Sequence, residues 1–139
     1  MKSKRHQGKS QLINFKILGD ERGSLIALEE NYNTPFAIKR VYYIFDTKKD
    51  VRRGYHAHID LKQMAICVKG SCIFVLDDGK NRKEIKLDSP NQGLLIEGLT
   101  WREMYNFSPD CVLLVLASEH YDEDDYIRNY DEFIRKVHG

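Results

Sequence analysis

Two histidines separated by one residue, His56 and His58, are the feature of this sequence best suited to chemistry. They lie in the run Arg52-Arg53-Gly54-Tyr55-His56-Ala57-His58. If this run is a β-strand, both imidazoles point to the same face, about 7 Å apart along the strand, because side chains alternate with period two. Imidazole exchanges a proton near neutral pH. The pair is therefore predicted to face one shared space that holds a metal ion, a substrate or nothing.

The length and composition of the chain indicate what kind of protein carries this strand. At 139 residues the chain is predicted to be a single domain, 1–139, and 42% hydrophobic and 31% charged residues are typical of a globular protein. A formal net charge of +1 gives no reason to expect nucleic acid or a membrane as a partner. No apolar run reaches membrane-spanning length, and the N-terminus lacks the apolar core of a signal peptide, so we expect a cytoplasmic protein.

Short apolar runs separated by turn residues recur along most of the chain. They are rich in β-branched and aromatic residues and are bounded by Gly, Asp, Asn or Ser. The candidate strands cover 12–17, 24–29, 36–45, 52–58, 64–68, 72–76, 84–87, 94–97, 101–107 and 111–117. Such regular spacing predicts an all-β fold, an antiparallel sandwich or barrel.

The two ends of the chain depart from this pattern. Residues 1–10 are basic and polar and are predicted to be a disordered tail that carries an inert His6. Near the C-terminus, apolar residues recur at helical spacing behind the acidic run 122–125, and negative charge suits a helix N-terminus. We therefore predict one amphipathic helix over about 122–137, packed on the β-fold.

The three cysteines, Cys67, Cys72 and Cys111, lie within apolar strand-like runs. Their spacing along the chain is not that of a metal site. We interpret them as buried thiols that act as small hydrophobic side chains.

The spacing of the histidine strand resembles the first conserved motif of the cupins. That motif has two histidines, a glutamate five residues after the second, and a glycine seven residues later; here Gln63 takes the glutamate position and Gly70 the glycine position. The second cupin motif supplies a further histidine, whose counterpart here is Arg102 in Trp101-Arg102-Glu103-Met104. The resemblance implies a jelly-roll β-sandwich, to which the C-terminal helix is added.

Further blocks narrow the resemblance to one group of cupins. Over about residues 12–133 the chain resembles the metal-free dTDP-4-keto-6-deoxyglucose 3,4-ketoisomerases, which are related to the dTDP-4-dehydrorhamnose 3,5-epimerases; the blocks are 38–43, 52–58, 101–104, 115–118, 121–123 and 125–128. The resemblance implies a dTDP-linked keto-deoxysugar substrate and a homodimer with N-terminal strands exchanged between subunits. It also implies a role in deoxyamino-sugar synthesis for surface polysaccharide.

The residues at the cupin metal positions argue against a metal ion. A catalytic metal site needs at least three protein ligands, usually histidine and carboxylate. Gln63 is a neutral amide, and the guanidinium of Arg102 would repel a cation. We therefore expect no metal and no cofactor, with His56 and His58 lining a substrate pocket. The alternative is that both are structural surface histidines.

Moving a ketone from C4 to C3 of a sugar removes a proton from C3 and delivers one to C4 through an enediol or enediolate. The resemblance assigns these transfers to His56 and His58, which need little pKa tuning for the task. It also makes Tyr42 a pocket residue that moves protons among the sugar oxygens; otherwise Tyr42 is a core aromatic residue. The sequence leaves open which histidine is the direct base.

Substrate binding needs donors for the enediolate and cations for the pyrophosphate. The resemblance gives three candidate cations, Arg22, Arg53 and Arg102. It gives two candidate partners for hydroxyl groups, Glu29 and Gln63. It also gives one aromatic ring, that of Trp101, which stacks on the ligand or forms a wall of the pocket. Two family subtypes, with galacto- and gluco-configured products, differ at the positions of Arg22 and Arg102. Arg22 resembles the galacto subtype and Arg102 the gluco subtype, so the C4 configuration of the product stays open.

Three rival functions stay open beside the ketoisomerase. A 3,5-epimerase would share the fold and the proton chemistry but leave the ketone at C4. A non-catalytic cupin would bind a sugar without exchanging its protons. A metal-dependent cupin oxygenase would require iron or nickel.

Overall fold

The computed structural model describes residues 7–139 as two five-stranded antiparallel sheets, a small hairpin and one C-terminal helix. The elements in chain order are β1 Lys9–Asn14, β2 Leu18–Asp20, β3 Gly23–Leu25, β4 Arg40–Ile44, β5 Arg53–His58, β6 Gln63–Lys69, β7 Cys72–Asp77, β8 Arg82–Leu87, β9 Gln92–Glu97, β10 Trp101–Tyr105, β11 Val112–Ala117, β12 Tyr126–Ile127 and α1 Tyr130–His138. The first sheet has the order β1-β9-β6-β11-β4 and the second the order β12-β5-β10-β7-β8. The all-β prediction is confirmed.

The main core fills the space between the two sheets. Alternate residues of each strand point inward, as the period of a strand requires. The buried cluster includes Leu94, Ile96 and Leu113 from the first sheet and Phe74 and Leu87 from the second. Burying one such side chain contributes about 1.5–3 kcal/mol to the stability of the folded protein. The cluster therefore holds the two sheets against each other.

Two further clusters cover the outer faces of the sheets. Phe15 and Phe36 pack on the first sheet against Met64 and Leu116. On the second sheet, α1 places its apolar stripe against the outward-facing side chains of β5 and β10; the cluster contains Ala57, Leu99, Trp101, Ile127, Phe133 and Val137. The inward face of β5 and β10 is thereby left for other side chains.

The N-terminal strands begin and end differently from the prediction. β1 covers Lys9–Asn14 instead of 12–17, because its partner is the edge of β9, and Gln7 already forms a bridge with Leu99. Residues 7–10 are therefore structured, which corrects that part of the predicted disordered tail. The remainder of the tail, with His6, lies outside the described residues.

The C-terminal helix is shorter than predicted. Asp122 accepts a hydrogen bond from the backbone of Asp124 and caps a single 3₁₀ turn, Glu123–Asp125, and the chain then pairs with β5 as β12. The helix begins only at Tyr130, where the side chain of Asn129 caps its N-terminus. The acidic run thus belongs to a turn before the helix. Among residues 7–139 no helix is long and apolar enough to span a membrane.

Candidate active site

The histidine pair lies on the inward face of β5, beside β10 of the same sheet. The ring centroids of His56 and His58 are 4.9 Å apart, and the planes are nearly perpendicular. Tyr55, with a φ of 58°, is an extra residue between two registered pairs of β5 and β10 and forms a bulge directly before His56. Gly54 has a φ of 93°, and a Cβ atom there would lie 2.8 Å from the carbonyl oxygen of Arg102. The bulge therefore depends on this glycine.

The two histidines face neighbouring cavities rather than one. His56 lines a cavity of about 440 Å³ together with Tyr42, Arg53, Met104 and Arg128. His58 lines an adjacent cavity of about 370 Å³, whose wall includes Asp125 and His120. Arg40 and Tyr126 line both cavities.

The ring of Tyr126 contacts both imidazoles and lines both cavities. The Tyr126 ring centroid lies 5.1 Å from that of His56 and 4.3 Å from that of His58. The guanidinium of Arg128 covers this ring at 4.2 Å. Tyr126 thus lies at the boundary between the two cavities.

A buried polar chain lies beneath His56. Arg102 donates through Nη1 to the side-chain oxygen of Gln63 and through Nη2 to the carbonyl of Thr100 at 2.9 Å. The amide of Gln63 in turn donates to the hydroxyl of Tyr42 at 3.0 Å. Arg102 is only 2% exposed, and its Nε atom has no hydrogen-bond partner. The guanidinium is therefore a buried cation with spare donor capacity beside the histidines.

Asp125 fixes the orientation of His58. Its carboxylate lies 3.2 Å from Nδ1 of His58, and it also accepts hydrogen bonds from the backbone N–H groups of Asp60 and Leu61. This arrangement favours a proton on Nδ1 of His58 and leaves the Nε2 lone pair free. Neither Nε2 of His58 nor Nδ1 of His56 has a partner among residues 7–139.

The environment keeps both imidazoles neutral. Burial lowers the pKa of His56 to about 4, and the positive charge of Arg102 adds to the effect. Burial and the same charge lower the pKa of His58 further. Burial lowers the pKa of Arg102 to about 10, so the guanidinium still carries its charge at neutral pH. Both imidazoles are therefore free to accept a proton at neutral pH, and the fixed cation of Arg102 can stabilise an anion that forms beside them.

The structure brings most of the predicted site residues together. His56, Tyr42, Gln63 and Arg102 surround a small void under the cavity, and Arg53 lies at the cavity wall. His58 is adjacent. These residues come from β4, β5, β6 and β10, so strand pairing assembles the group from distant parts of the chain.

Trp101 does not lie in this group, and the role of pocket wall or stacking ring predicted for it does not fit its position. Adjacent residues of a strand point to opposite faces, so Arg102 inside places Trp101 outside. There its ring contacts Tyr130 and Phe133 of α1, and its N–H donates to Glu103 at 3.0 Å. Trp101 is a core residue beneath the helix.

Arg22 and Glu29 are also away from the cavities of this chain. Arg22 lies in the turn of the β2–β3 hairpin, where it forms an ion pair with Asp20. Glu29 is exposed in the loop that precedes Thr34, and its backbone N–H donates to Asn33. Neither side chain lines a cavity next to the histidines.

The cavity-lining residues that the sequence does not predict as site residues include Arg40, Asp125, Tyr126 and Arg128. Acidic residues and helical spacing predict that Asp125 and Tyr126 belong to the C-terminal helix, which instead begins at Tyr130. The signal that could have corrected this is the short apolar pair Tyr126–Ile127, which β12 uses to pair with β5.

Comparisons with known proteins agree with this geometry. The family model described as FdtA: WxcM-like, C-terminal matches residues 8–138. A curated relative from Aneurinibacillus thermoaerophilus, named TDP-4-oxo-6-deoxy-alpha-D-glucose-3,4-oxoisomerase, is 58% identical over 128 residues, which are 92% of this chain and 92% of the relative.

Two solved structures are closely similar to the chain. A 3,4-ketoisomerase from Helicobacter canadensis is 55% identical with a TM-score of 0.91, over 94% of this chain and 98% of that one. A histidine-to-asparagine mutant of the 3,4-ketoisomerase QdtA from Thermoanaerobacterium thermosaccharolyticum, in complex with TDP-4-keto-6-deoxyglucose, is 49% identical with a TM-score of 0.90, over 92% of this chain and 93% of that one.

Proposed function

The chain belongs to the WxcM-like FdtA family, the TDP-sugar 3,4-ketoisomerases, and on that premise we propose that it converts TDP-4-keto-6-deoxyglucose to a TDP-3-keto-6-deoxyhexose by histidine-mediated proton transfer. The observation that supports this most directly is the neutral, partly buried imidazole of His56 beside the buried cation of Arg102. The pathway implied by the resemblance, deoxyamino-sugar synthesis in the cytoplasm for surface polysaccharide, is part of the proposal.

His56 is the direct base in this proposal. The hydrogen on C3 is acidic because the C4 ketone is adjacent, and a neutral imidazole can accept it. His56 lines the same cavity as Tyr42 and Arg53, where a sugar nucleotide has room to bind. His58, held by Asp125 and in edge contact with His56, is the partner that takes up or returns the second proton.

Arg102 stabilises the enediolate that follows. Loss of the C3 proton places negative charge on O4, and a fixed guanidinium in a water-poor site stabilises such charge strongly. The unpartnered Nε atom of Arg102 is a donor that the fold itself does not use. Gln63 and Thr100 hold the other end of the guanidinium in place. Arg53, together with Arg40 and Arg128 at the cavity mouth, supplies cations for the pyrophosphate.

Tyr42 completes the transfer in this scheme. Once C4 receives a proton, O3 must lose its proton to become the ketone and O4 must gain one. A hydroxyl that both donates and accepts can carry that proton from O3 to O4. Burial raises the pKa of Tyr42, so the phenol stays protonated at neutral pH, and Gln63 fixes its position.

Replacing Tyr42 with phenylalanine tests this role. We expect turnover to fall by about 10- to 100-fold, because general acid–base assistance is lost. Exchange of the C3 hydrogen with deuterated solvent should continue, because His56 is intact. The measurement is ¹H NMR of substrate and product in D₂O, with Tyr105→Phe as a control on the exposed side of β10. Equal loss of exchange and turnover would contradict a separate role for the hydroxyl.

Product NMR is the experiment that tests the function itself. Incubation with TDP-4-keto-6-deoxyglucose should move the ketone from C4 to C3, and the same spectrum reports the C4 configuration that Arg22 and Arg102 leave open. A ketone that stays at C4 with inverted neighbours would indicate the 3,5-epimerase. Bound sugar without any deuterium uptake would indicate a binding protein. Either result would overturn the proposal.

We further propose that the enzyme is a homodimer whose β2–β3 hairpin docks on the second copy. The hairpin pairs with no other strand among residues 7–139, and a lone two-stranded hairpin is marginal in water. It nevertheless carries exposed Leu18 and Leu25, the latter 57% exposed. The edge strand β4 also exposes Val41 and Tyr43. Contact between these surfaces in a dimer would bury them and would carry Arg22 toward the site of the partner.

Mixing two inactive variants tests the position of Arg22. Arg22→Ala and His56→Asn are each expected to be impaired alone. If Arg22 serves the partner's site, each mixed dimer contains one intact site, and the mixture should regain roughly a quarter of wild-type turnover. If Arg22 serves the site of its own chain, no activity returns on mixing, and if it serves neither site, Arg22→Ala is active by itself. Light scattering on the wild-type protein should give the mass of a dimer, which this proposal requires.

A further inference from the structure

Three cysteine thiols, distant in sequence, converge between the two sheets. Sγ of Cys67 on β6 lies 3.5 Å from Sγ of Cys72 on β7 and 3.8 Å from Sγ of Cys111, which precedes β11. All three sulfurs lie within 4.8 Å of one another, and each residue is at most 1% exposed. Among the described residues this is the one group of three His, Cys, Asp or Glu side chains with ligand atoms so close. Along β6, Cys67 lies about 13 Å from Gln63, a residue of the histidine site.

Backbone geometry builds this cluster. Cys67 and Cys72 flank the tight turn between β6 and β7, where Gly70 has a φ of 72°. A Cβ atom on Gly70 would lie 2.3 Å from Oγ of Ser108, so the loop before β11 packs directly on the turn. The backbone N–H of Ser108 donates to Ser71 at 2.9 Å and holds that loop, which ends at Cys111. The three thiols are therefore held together by the fold.

We propose that Cys67, Cys72 and Cys111 form a three-sulfur binding site for a trivalent thiophilic ion of the arsenic(III) class. An ion about 2.3 Å from each of three sulfurs sets them roughly 3.3–4.0 Å apart. The two separations from Cys67, 3.5 and 3.8 Å, fall in this range, and the third is within 4.8 Å. The site lies within the main apolar core, and none of its three cysteines lines a cavity next to the histidines.

Charge selects the trivalent ion. Hydrophobic residues pack around the thiols in the core, and the carboxylate of Asp110, which lies beside the Gly70 turn, is negative and cannot compensate a negative net charge. Three thiolates leave a net charge of −1 around zinc(II) and −2 around copper(I), and an uncompensated charge in an apolar core is costly. Three thiolates around arsenic(III) give a neutral complex.

Proton balance favours the same class. Cysteine thiols lose their protons when they bind a metal ion, and a simple metal ion releases those protons into solvent. Arsenous acid brings its own acceptors: three As–O bonds break, three As–S bonds form, and three thiol protons leave with the hydroxides as three waters. Arsenic stays in the +3 state.

Arsenite titration of the reduced, full-length protein tests the site. After overnight incubation and desalting, mass spectrometry of the metal content should find one arsenic atom per chain, and X-ray absorption should find three sulfur neighbours. Cys72→Ala and Cys111→Ala should each weaken arsenite binding about 100-fold, because the chelate loses one arm. Val115→Ala, which enlarges the same core but keeps all three thiols, should bind like the wild type.

Three results would overturn the proposal. The first is failure of the folded wild-type protein to retain arsenic. The second is a shell of one or two sulfurs, or equal binding by the cysteine variants, which would indicate adventitious thiol chemistry. The third is stoichiometric binding of zinc(II) or copper(I) by protein that rejects arsenite, which would show that charge does not select the ion. Circular dichroism of each alanine variant separates lost binding from lost fold.

Discussion

Replacing His56 with asparagine is expected to lower turnover by about 10³-fold, because the substitution removes the base that accepts the C3 proton. Asparagine is similar in size and polarity but cannot accept a proton near neutral pH. Backbone pairing of β5 with β10 sets the bulge at Gly54 and Tyr55, so the strand should keep its register. TDP affinity, measured by calorimetry, should stay within a few-fold of the wild type.

The decisive readout for His56→Asn is deuterium exchange at C3. A lost base abolishes exchange together with turnover, whereas a lost partner would allow exchange to continue. His138→Asn is the matched control, because this histidine bonds the carbonyl of Gly79 near the end of α1, away from both cavities. Normal exchange in His56→Asn would transfer the direct role to His58, and retained turnover would contradict the proton-transfer assignment.

The architecture could be predicted from the sequence because it follows from local rules. Turn residues at regular intervals mark the strands, and period-two alternation places His56 and His58 on one face. The same alternation, applied to Trp101 and Arg102, predicts opposite faces. The resemblance to family positions named both residues as ligands of the substrate, and only one of them can point into the sandwich.

Contacts between distant segments could not be predicted in this way. Asp125 reaches His58 across 67 positions in sequence because β12 pairs with β5, and a two-residue strand leaves almost no periodic signal. The thiol cluster is similar: spacing along the chain excludes a metal motif, yet the β6–β7 turn and the loop before β11 bring Cys67 and Cys111 within 3.8 Å. Arg22 is a further case, because the contact proposed for it is with a second protomer and no pattern within one chain predicts it.

Replacing Arg102 with methionine is expected to lower turnover by about 10²- to 10³-fold, because the enediolate loses its buried cation. Methionine retains much of the side-chain volume but leaves the side-chain oxygen of Gln63 and the carbonyl of Thr100 without their donor. That loss should cost about 1–3 kcal/mol of stability, which denaturant unfolding measures independently of activity. KM should change little, since Arg102 lies beneath the cavity rather than at its mouth.

The pKa of His56 distinguishes an electrostatic role of Arg102 from a merely structural one. The positive charge of Arg102 is the second cause, after burial, of the low pKa of about 4. Removing that charge stabilises the imidazolium, so the pKa should rise in Arg102→Met but stay below its ordinary value because burial persists. NMR titration of the imidazole measures this shift. Arg53→Met removes a charge at the exposed cavity wall and should instead raise KM. An unchanged His56 pKa together with normal turnover would mean that the buried guanidinium serves the fold alone, and the enediolate would then need another donor.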